Sequence, residues 1–132
     1  IIDCGPANNK ATKATLVVSK LALIPISPSP LDINSARATI ELIQEGAKRG
    51  ATKVKVFLLI SKRIVGTNLA KEARQACQML KLPILKTEIS QRIALCESAI
   101  TGQSVLEYAP NSLAAEEFIA LGKEVKRCLK QS

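Results

Sequence analysis

Three short aliphatic runs, Leu21–Ile26, Val54–Ile60 and Ile84–Ile89, divide the chain, with helical patterns between them. Each is a nearly continuous stretch of Leu, Ile and Val, not an apolar–polar alternation. Strands that read this way are buried on both faces, the condition of a parallel sheet covered by helices. Ile1–Cys4 reads as the end of a fourth such strand. Strand and helix alternate and the chain closes in helices. This predicts an α/β fold in three layers, a mostly parallel sheet flanked by helices, with right-handed crossovers. The 132 residues contain no internal repeat, low-complexity segment or interdomain linker. Residues 1–132 are therefore expected to form a single domain, large enough to remove about two thirds of its unfolded surface from water.

The helix after the first of these runs, Leu21–Ile26, is the best specified. Ser29-Pro30-Leu31-Asp32 sets Ser at N-cap, Pro at N1 and Asp at N3, a variant of the capping box. Ile33, Ala36, Ile40, Ile43 and Ala47 follow on one helical face. Lys48-Arg49-Gly50 ends it, with cations at the negative end and Gly as terminator. A second helix is expected from Thr67 or Asn68, with Leu69, Ala73, Ala76 and Leu80 inward, ending at Lys81-Leu82-Pro83. The last helix follows Pro110-Asn111-Ser112. Its expected buried stripe is Ala115, Phe118, Ile119, Gly122, Val125 and Leu129. Glu116, Glu117, Lys123, Lys126, Arg127 and Lys130 are expected to face water, acids early and bases late.

The chain has no His, which excludes Ser–His–Asp catalysis and leaves a Cys nucleophile without its usual base. Its four cysteines, Cys4, Cys77, Cys96 and Cys128, form no CxxC pair. A zinc site is therefore not indicated. Buried reduced thiols in a reducing cytoplasm are the expectation. No signal peptide is visible, and the apolar runs are too short to span a bilayer.

Net charge is +8. That excess suits a polyanion, most simply nucleic acid, and equally suits a domain that is merely basic. The bases form local groups: Lys48-Arg49 with Lys53 and Lys55; Lys62-Arg63; Lys86 with Arg92; and Lys123, Lys126, Arg127 and Lys130. Only Phe57, Phe118 and Tyr108 are aromatic, so base stacking on single strands is not offered. Salt-sensitive contact with duplex phosphates is the natural mode, through Lys86, Arg92, Lys123, Lys126 and Arg127. Taken singly, each base also reads as a solvated helix end or face.

In an open parallel sheet, ligands bind beyond the carboxyl ends of the strands. Asp3–Asn9, Ser27–Asp32, Ser61–Asn68 and Ser90–Arg92 fall there. Asp3 at a strand end either holds Mg²⁺ through water or caps a helix starting near Asn8. On spacing alone the cap is favoured. Gly5-Pro6 either lets the backbone approach a phosphate or forms an ordinary turn. No GxxxxGK[ST] loop and no GxGxxG are present, so the backbone nest that grips phosphates is not in this chain. Glu116-Glu117 are read as solvated rather than as a catalytic pair.

Taken in order, Ile1–Pro6, Leu23–Asp32, Gly66–Glu72, Pro83–Ile89, Gln91–Ala94, Gly102–Tyr108 and Ala114–Glu117 resemble the ParA family of partition ATPases, deviant Walker P-loop proteins related to MinD. The resemblance covers nearly the whole chain. It implies the C-terminal portion of such a protein, a partial P-loop NTPase fold without the phosphate loop. The chain opens on Ile inside a strand pattern, as expected for such a portion. The family binds ATP and Mg²⁺, dimerises face to face around nucleotide and binds nucleoid DNA non-specifically. A centromere-binding partner of the ParB type stimulates hydrolysis. By this resemblance Asp3 matches the Walker B acid and metal ligand, and Gly5-Pro6 the switch segment. Pro28 to Asp32 match the loop flanking nucleotide and dimer face. Ser61-Lys62 stand where relatives place a pair near the base, and Lys20 where relatives often carry Asp. Arg92 matches a basic position suited to DNA.

The implied function is plasmid or chromosome partitioning by a homodimer in the cytoplasm on the nucleoid, with no membrane partner. The alternative is a truncated, non-catalytic paralogue that binds DNA or a partner. A receiver-like signalling fold is a third reading, disfavoured because it needs a cluster of acids at this edge. Without the phosphate loop, the chain by itself is expected not to hydrolyse ATP.

Overall fold

The computed structural model describes residues 1–5 and 10–130. Its elements run α1 (Lys10–Val18), β1 (Leu21–Ile26), α2 (Pro30–Lys48), β2 (Lys55–Ile60), α3 (Asn68–Gln78), α4 (Ile93–Thr101), α5 (Val105–Tyr108) and α6 (Leu113–Lys130). β1 and β2 pair in parallel, from Leu21 opposite Lys55 to Ile26 opposite Ile60. The architecture is α/β, a small parallel sheet between helices, compatible with a partial P-loop fold.

The two faces of the sheet carry separate cores. Ile24, Ile26, Leu58 and Ile60 pack under Ile33, Ala36, Ile40 and Ile43 of α2 and under Cys77 and Leu80. Leu59, Leu85 and Ile89 form the second core, against Leu95 of α4 and Leu121, Val125 and Cys128 of α6. Strands apolar on both faces therefore end up covered on both faces. Each fully buried Ile or Leu stabilises the fold by roughly 1.5–3 kcal/mol.

The third aliphatic run lies on the free side of β2, but it is not the continuous strand that its sequence suggests. It meets β2 at two parallel bridges, Leu58 with Ile84 and Arg63 with Ser90. The Leu85 N–H donates to Leu58 O and the Ile89 N–H to Ile60 O, both at 2.9 Å. The run thus advances further than β2 over the same stretch, and Lys86–Glu88 bulges out of the ladder. Stronger partners hold the bulge. Glu124 accepts the N–H groups of Lys86 and Thr87, and Glu88 is drawn to Arg63 and Arg74.

The expected fourth strand does not form. Ile1 and Ile2 stand in solvent, and among the described residues nothing pairs with the outer edge of β1. An isolated extended segment has no ladder to satisfy its backbone, so hydrophobicity alone does not make it a strand.

α2 starts at Ser29 with Pro30 at N1, as expected, but no capping box forms. The Ser29 side chain makes no cap bond, and the Asp32 carboxylate instead accepts the Ser27 hydroxyl. The other end closes as read, with Gly50 in the left-handed region at φ 69° and the Ala51 N–H on Gly46 O at 2.8 Å. Ala47 and Leu69, expected inward, are exposed. α4, not singled out in the sequence, ends at Gly102 with φ 70°. There the Gln103 N–H donates to Ser98 O at 3.0 Å, closing a Schellman-type cap.

α6 is rotated relative to its expected stripe. Ala114 and Ala115 are fully buried, whereas Phe118, Ile119, Gly122 and Leu129 are exposed. Ala115 and Val125 face inward as expected, and Leu121 and Cys128 join Val125 against the sheet. Glu117 and Glu124 also turn toward the sheet, because the bulged run offers backbone N–H groups that only an acceptor can satisfy. The cysteines divide: Cys77 is buried and Cys128 half-buried, but Cys4 and Cys96 are exposed. No helix among the described residues is long and apolar enough to cross a membrane.

Candidate functional site

An open cleft of about 480 Å³ lies at the edge of β1. Cys4 and Gly5 border it on one side and Leu23, Ile24 and Pro25 of β1 on another. Ser27, Asp32, Ser35, Ser61 and Lys62 supply polar groups. It thus gathers the segments that follow β1 and β2 at their carboxyl ends, where parallel sheets bind ligands.

Of the site residues read from the sequence, Gly5 and Asp32 meet here. Asp3 is exposed and is not among the residues lining the cleft, although its neighbours Cys4 and Gly5 are. Pro6 lies outside the described residues, as does the helix start near Asn8 that Asp3 is expected to cap. Pro28 is buried in the turn between β1 and α2, where the Ser29 N–H reaches back to Ser27 O at 2.7 Å. A Cβ at Gly5 would meet nothing within 4 Å, so packing by itself does not require glycine there.

Lys62 stands out by its backbone. Its φ is 53°, a left-handed conformation rare outside Gly, Asn and Asp. The neighbouring Arg63 N–H is held by Ile89 O at 3.1 Å, and Arg63 O accepts the Gln91 N–H at 2.9 Å. These bonds set the loop after β2, so Lys62 lines the cleft from a fixed base. No periodicity marks such a position; only its place directly after a buried strand points to it.

The cleft offers hard oxygen donors: one carboxylate, Asp32, and the hydroxyls of Ser27 and Ser61. No cluster of three or more His, Cys, Asp or Glu converges among the described residues. This set suits an ion that keeps several waters and takes further oxygens from a phosphate, as Mg²⁺ does, and does not suit an all-protein cage.

The predicted cationic residues separate into two groups. Lys123, Lys126 and Arg127 are exposed on α6, on the helical side that also carries Lys130. Lys86 is exposed on the bulge, with its N–H on Glu124 at 2.8 Å. Arg92 is half-buried and paired with Glu117 at 2.7 Å. Burial pushes the Glu117 carboxyl up. The Arg92 guanidinium and the Ser90 N–H outweigh that and hold it below its ordinary value. Glu124 is likewise raised by burial and lowered further by the Lys86 and Thr87 N–H groups, with a net downward shift. Neither Glu117 nor Glu124 carried a sequence signal: Glu117 falls among the residues read as the wet face of α6, and Glu124 is assigned to neither face.

No family model matches the chain. It is 28% identical over 127 residues to the maintenance of carboxysome distribution protein A of Halothiobacillus neapolitanus (strain ATCC 23641 / c2), covering 95% of this chain and 58% of the relative. It is 26% identical over 125 residues to a ParA family protein of Chlamydia trachomatis serovar D and to another of Chlamydia muridarum. Each match covers 95% of this chain and 49% of the relative. The chain spans about half the length of the curated relatives it matches, and the similarity supports a ParA-like relationship along almost its whole extent.

Proposed function

We propose that the chain is the C-terminal portion of a ParA-like ATPase that partitions or positions cargo, a plasmid, a chromosome or another large particle. The observation that carries this reading is the similarity to ParA family proteins over 95% of the chain. The cleft at the carboxyl edge is consistent with it. ATP and Mg²⁺ would supply the phosphoryl chemistry. Asp32 with Ser27 would contribute oxygens near the metal, and Asp3, next to the cleft-lining Cys4 and Gly5, would join them. Gly5, Pro6 and Pro28 would border the nucleotide. Non-specific nucleoid DNA would meet Lys86, Arg92, Lys123, Lys126 and Arg127. The working form would be a homodimer on the nucleoid in the cytoplasm, with a ParB-like centromere-binding partner.

The test uses the reading frame around this segment. A longer polypeptide carrying an upstream phosphate loop is expected to hydrolyse ATP with Mg²⁺, and the 132-residue chain is not. Turnover by the short chain, or the absence of any phosphate loop upstream, overturns the reading.

A second reading, a non-catalytic module that binds DNA, is favoured by one feature. The exposed bases Lys123, Lys126, Arg127 and Lys130 lie together on one helix of this chain. Salt-sensitive duplex binding by this chain, unaffected by ATP, would select it.

A further inference from the structure

We propose that an apolar groove at the amino edge of the sheet, between α2, the start of β2 and the Leu82–Pro83 turn, docks an acidic amphipathic helix of a partner protein. The groove lies at the opposite end of the strands from the cleft described above and needs neither nucleotide nor DNA.

The groove has a volume of about 390 Å³. Ile40 and Ile43 of α2 line it together with Val54, Val56, Leu82 and Pro83. Ile40 and Ile43 belong to the buried core, while Val54, Val56 and Leu82 pack against that core and stay half-buried. The core under α2 is thus open to water at this end. No carboxylate lines the groove; Gln44 and Lys55 are its polar side chains. An aliphatic depression of this kind receives the apolar ridge of a partner helix.

Its walls are held in place. The Leu58 N–H donates to Pro83 O at 2.9 Å, which fastens the turn to β2. Lys81 enters that turn at φ 55°, with its N–H on Gln78 O at 3.1 Å. Across the groove, the buried Thr52 sets the approach to β2. Its hydroxyl accepts the Val54 N–H at 3.2 Å and donates to Leu16 O at 2.7 Å. A groove already formed is filled at little conformational cost.

Charge selects the occupant. Lys55 lines the groove, and the exposed Lys48, Lys53 and Lys81 each adjoin a lining residue in sequence, Ala47, Val54 and Leu82. None of the ion pairs among the described residues engages Lys48, Lys53 or Lys81. These cations come from every wall, so they match carboxylates spread along both flanks of a helix better than the single head group of a fatty acid. Duplex DNA matches the charge but has no aliphatic ridge to set into the groove. A strand added to the open edge of β1 would not cover it, because the Leu82–Pro83 turn lies on the other side of β2.

Fluorescence anisotropy on the whole 132-residue chain tests this with a labelled synthetic helix that carries Leu at helical spacing and Glu on both flanks. Saturable binding is expected. Exchanging Glu for Lys or Leu for Ser in the peptide should weaken it at least about tenfold. Ala47→Glu, which puts a carboxylate at an exposed lining position, should weaken it as much, and so should the double variant Lys53→Glu/Lys81→Glu. Lys123→Glu, on α6, should change nothing. Far-UV circular dichroism checks that each variant folds, and the peptide series gives the answer without any variant. In amide NMR spectra the peptide should shift Val54, Lys55, Val56 and Leu82 and spare Asp32 and Lys62. Absence of saturable binding overturns the proposal, as does a Lys peptide that binds equally well or an Ala47→Glu variant that binds like wild type. Displacement of the peptide by duplex DNA or by dodecanoate would assign the groove to a nucleic acid or a fatty acid and overturn it too.

Discussion

Arg92, the N-cap residue of α4, donates from Nη2 to Glu117 Oε1 on α6 at 2.7 Å. The other Glu117 oxygen accepts the N–H of the fully buried Ser90 at 2.9 Å. One carboxylate thus ties the end of the third aliphatic run, the start of α4 and the last helix together. The pair also holds Arg92 partly inside, so this base serves the fold whatever else it touches.

Glu117→Ala removes the acceptor for both groups and leaves the Ser90 N–H buried without a partner. The expected loss is about 1–3 kcal/mol, toward the lower end because the ion pair keeps some contact with water. Glu117→Gln retains one acceptor and should cost less. Urea denaturation followed by far-UV circular dichroism measures both, and equal losses for Ala and Gln would contradict the role given to the Ser90 bond.

Glu124→Ala should release the Lys86–Glu88 bulge. Its carboxylate accepts the Lys86 and Thr87 N–H groups at 2.8 Å each. Hydrogen exchange at those two amides is expected to accelerate strongly, while exchange at Leu58 and Ile60 in β2 changes little. Unchanged protection at residues 86 and 87 would refute the assignment.

Acid should loosen α6 before the rest of the chain. Glu117 and Glu124 both titrate below the ordinary carboxylate value in the folded protein. A depressed folded pKa contributes stability that is complete above the unfolded value, about 4.3 for Glu. That stability is lost as pH falls through the folded value. Hydrogen exchange on α6 should therefore rise below that window, and Glu124→Gln should flatten the dependence. A rise beginning at neutral pH would show that other groups govern the helix.

Leu58→Ala should be among the most damaging single changes. Leu58 is fully buried in β2 and belongs to the core shared with α2 and Cys77. Deleting its side chain is expected to cost about 2–5 kcal/mol, readable as a lowered urea midpoint with an unchanged slope.

Duplex binding, where it occurs, should depend on α6. Replacing Lys123, Lys126 and Arg127 by Ala should reduce the slope of log affinity against log salt by roughly 0.9 for each phosphate that is no longer neutralised. A slope equal to wild type would move the DNA-binding surface elsewhere.

The residues of α2 and the two paired strands are legible because their signals are local. Ile33, Ala36, Ile40 and Ile43 repeat at helical spacing, and Leu21–Ile26 and Lys55–Ile60 are nearly unbroken aliphatic runs. The cleft is legible in part. Asp32 and Gly5 follow aliphatic runs, and a parallel sheet sends such segments to one edge. Asp3 directly precedes Cys4 and Gly5, which line the cleft, but is itself exposed and outside the lining.

By itself the sequence determined the α/β class, the parallel pairing of β1 with β2 and the start and end of α2, since spacing and terminal residues suffice for these. The rotation of α6, the bulge at Lys86–Glu88 and the inward turn of Glu117 and Glu124 were decided only by tertiary structure. A helix with apolar residues over a wide arc, such as Ala115, Phe118 and Leu121, can bury more than one stripe. Which stripe goes in depends on what faces it, and here that partner is a row of unsatisfied backbone N–H groups more than thirty residues away in the chain.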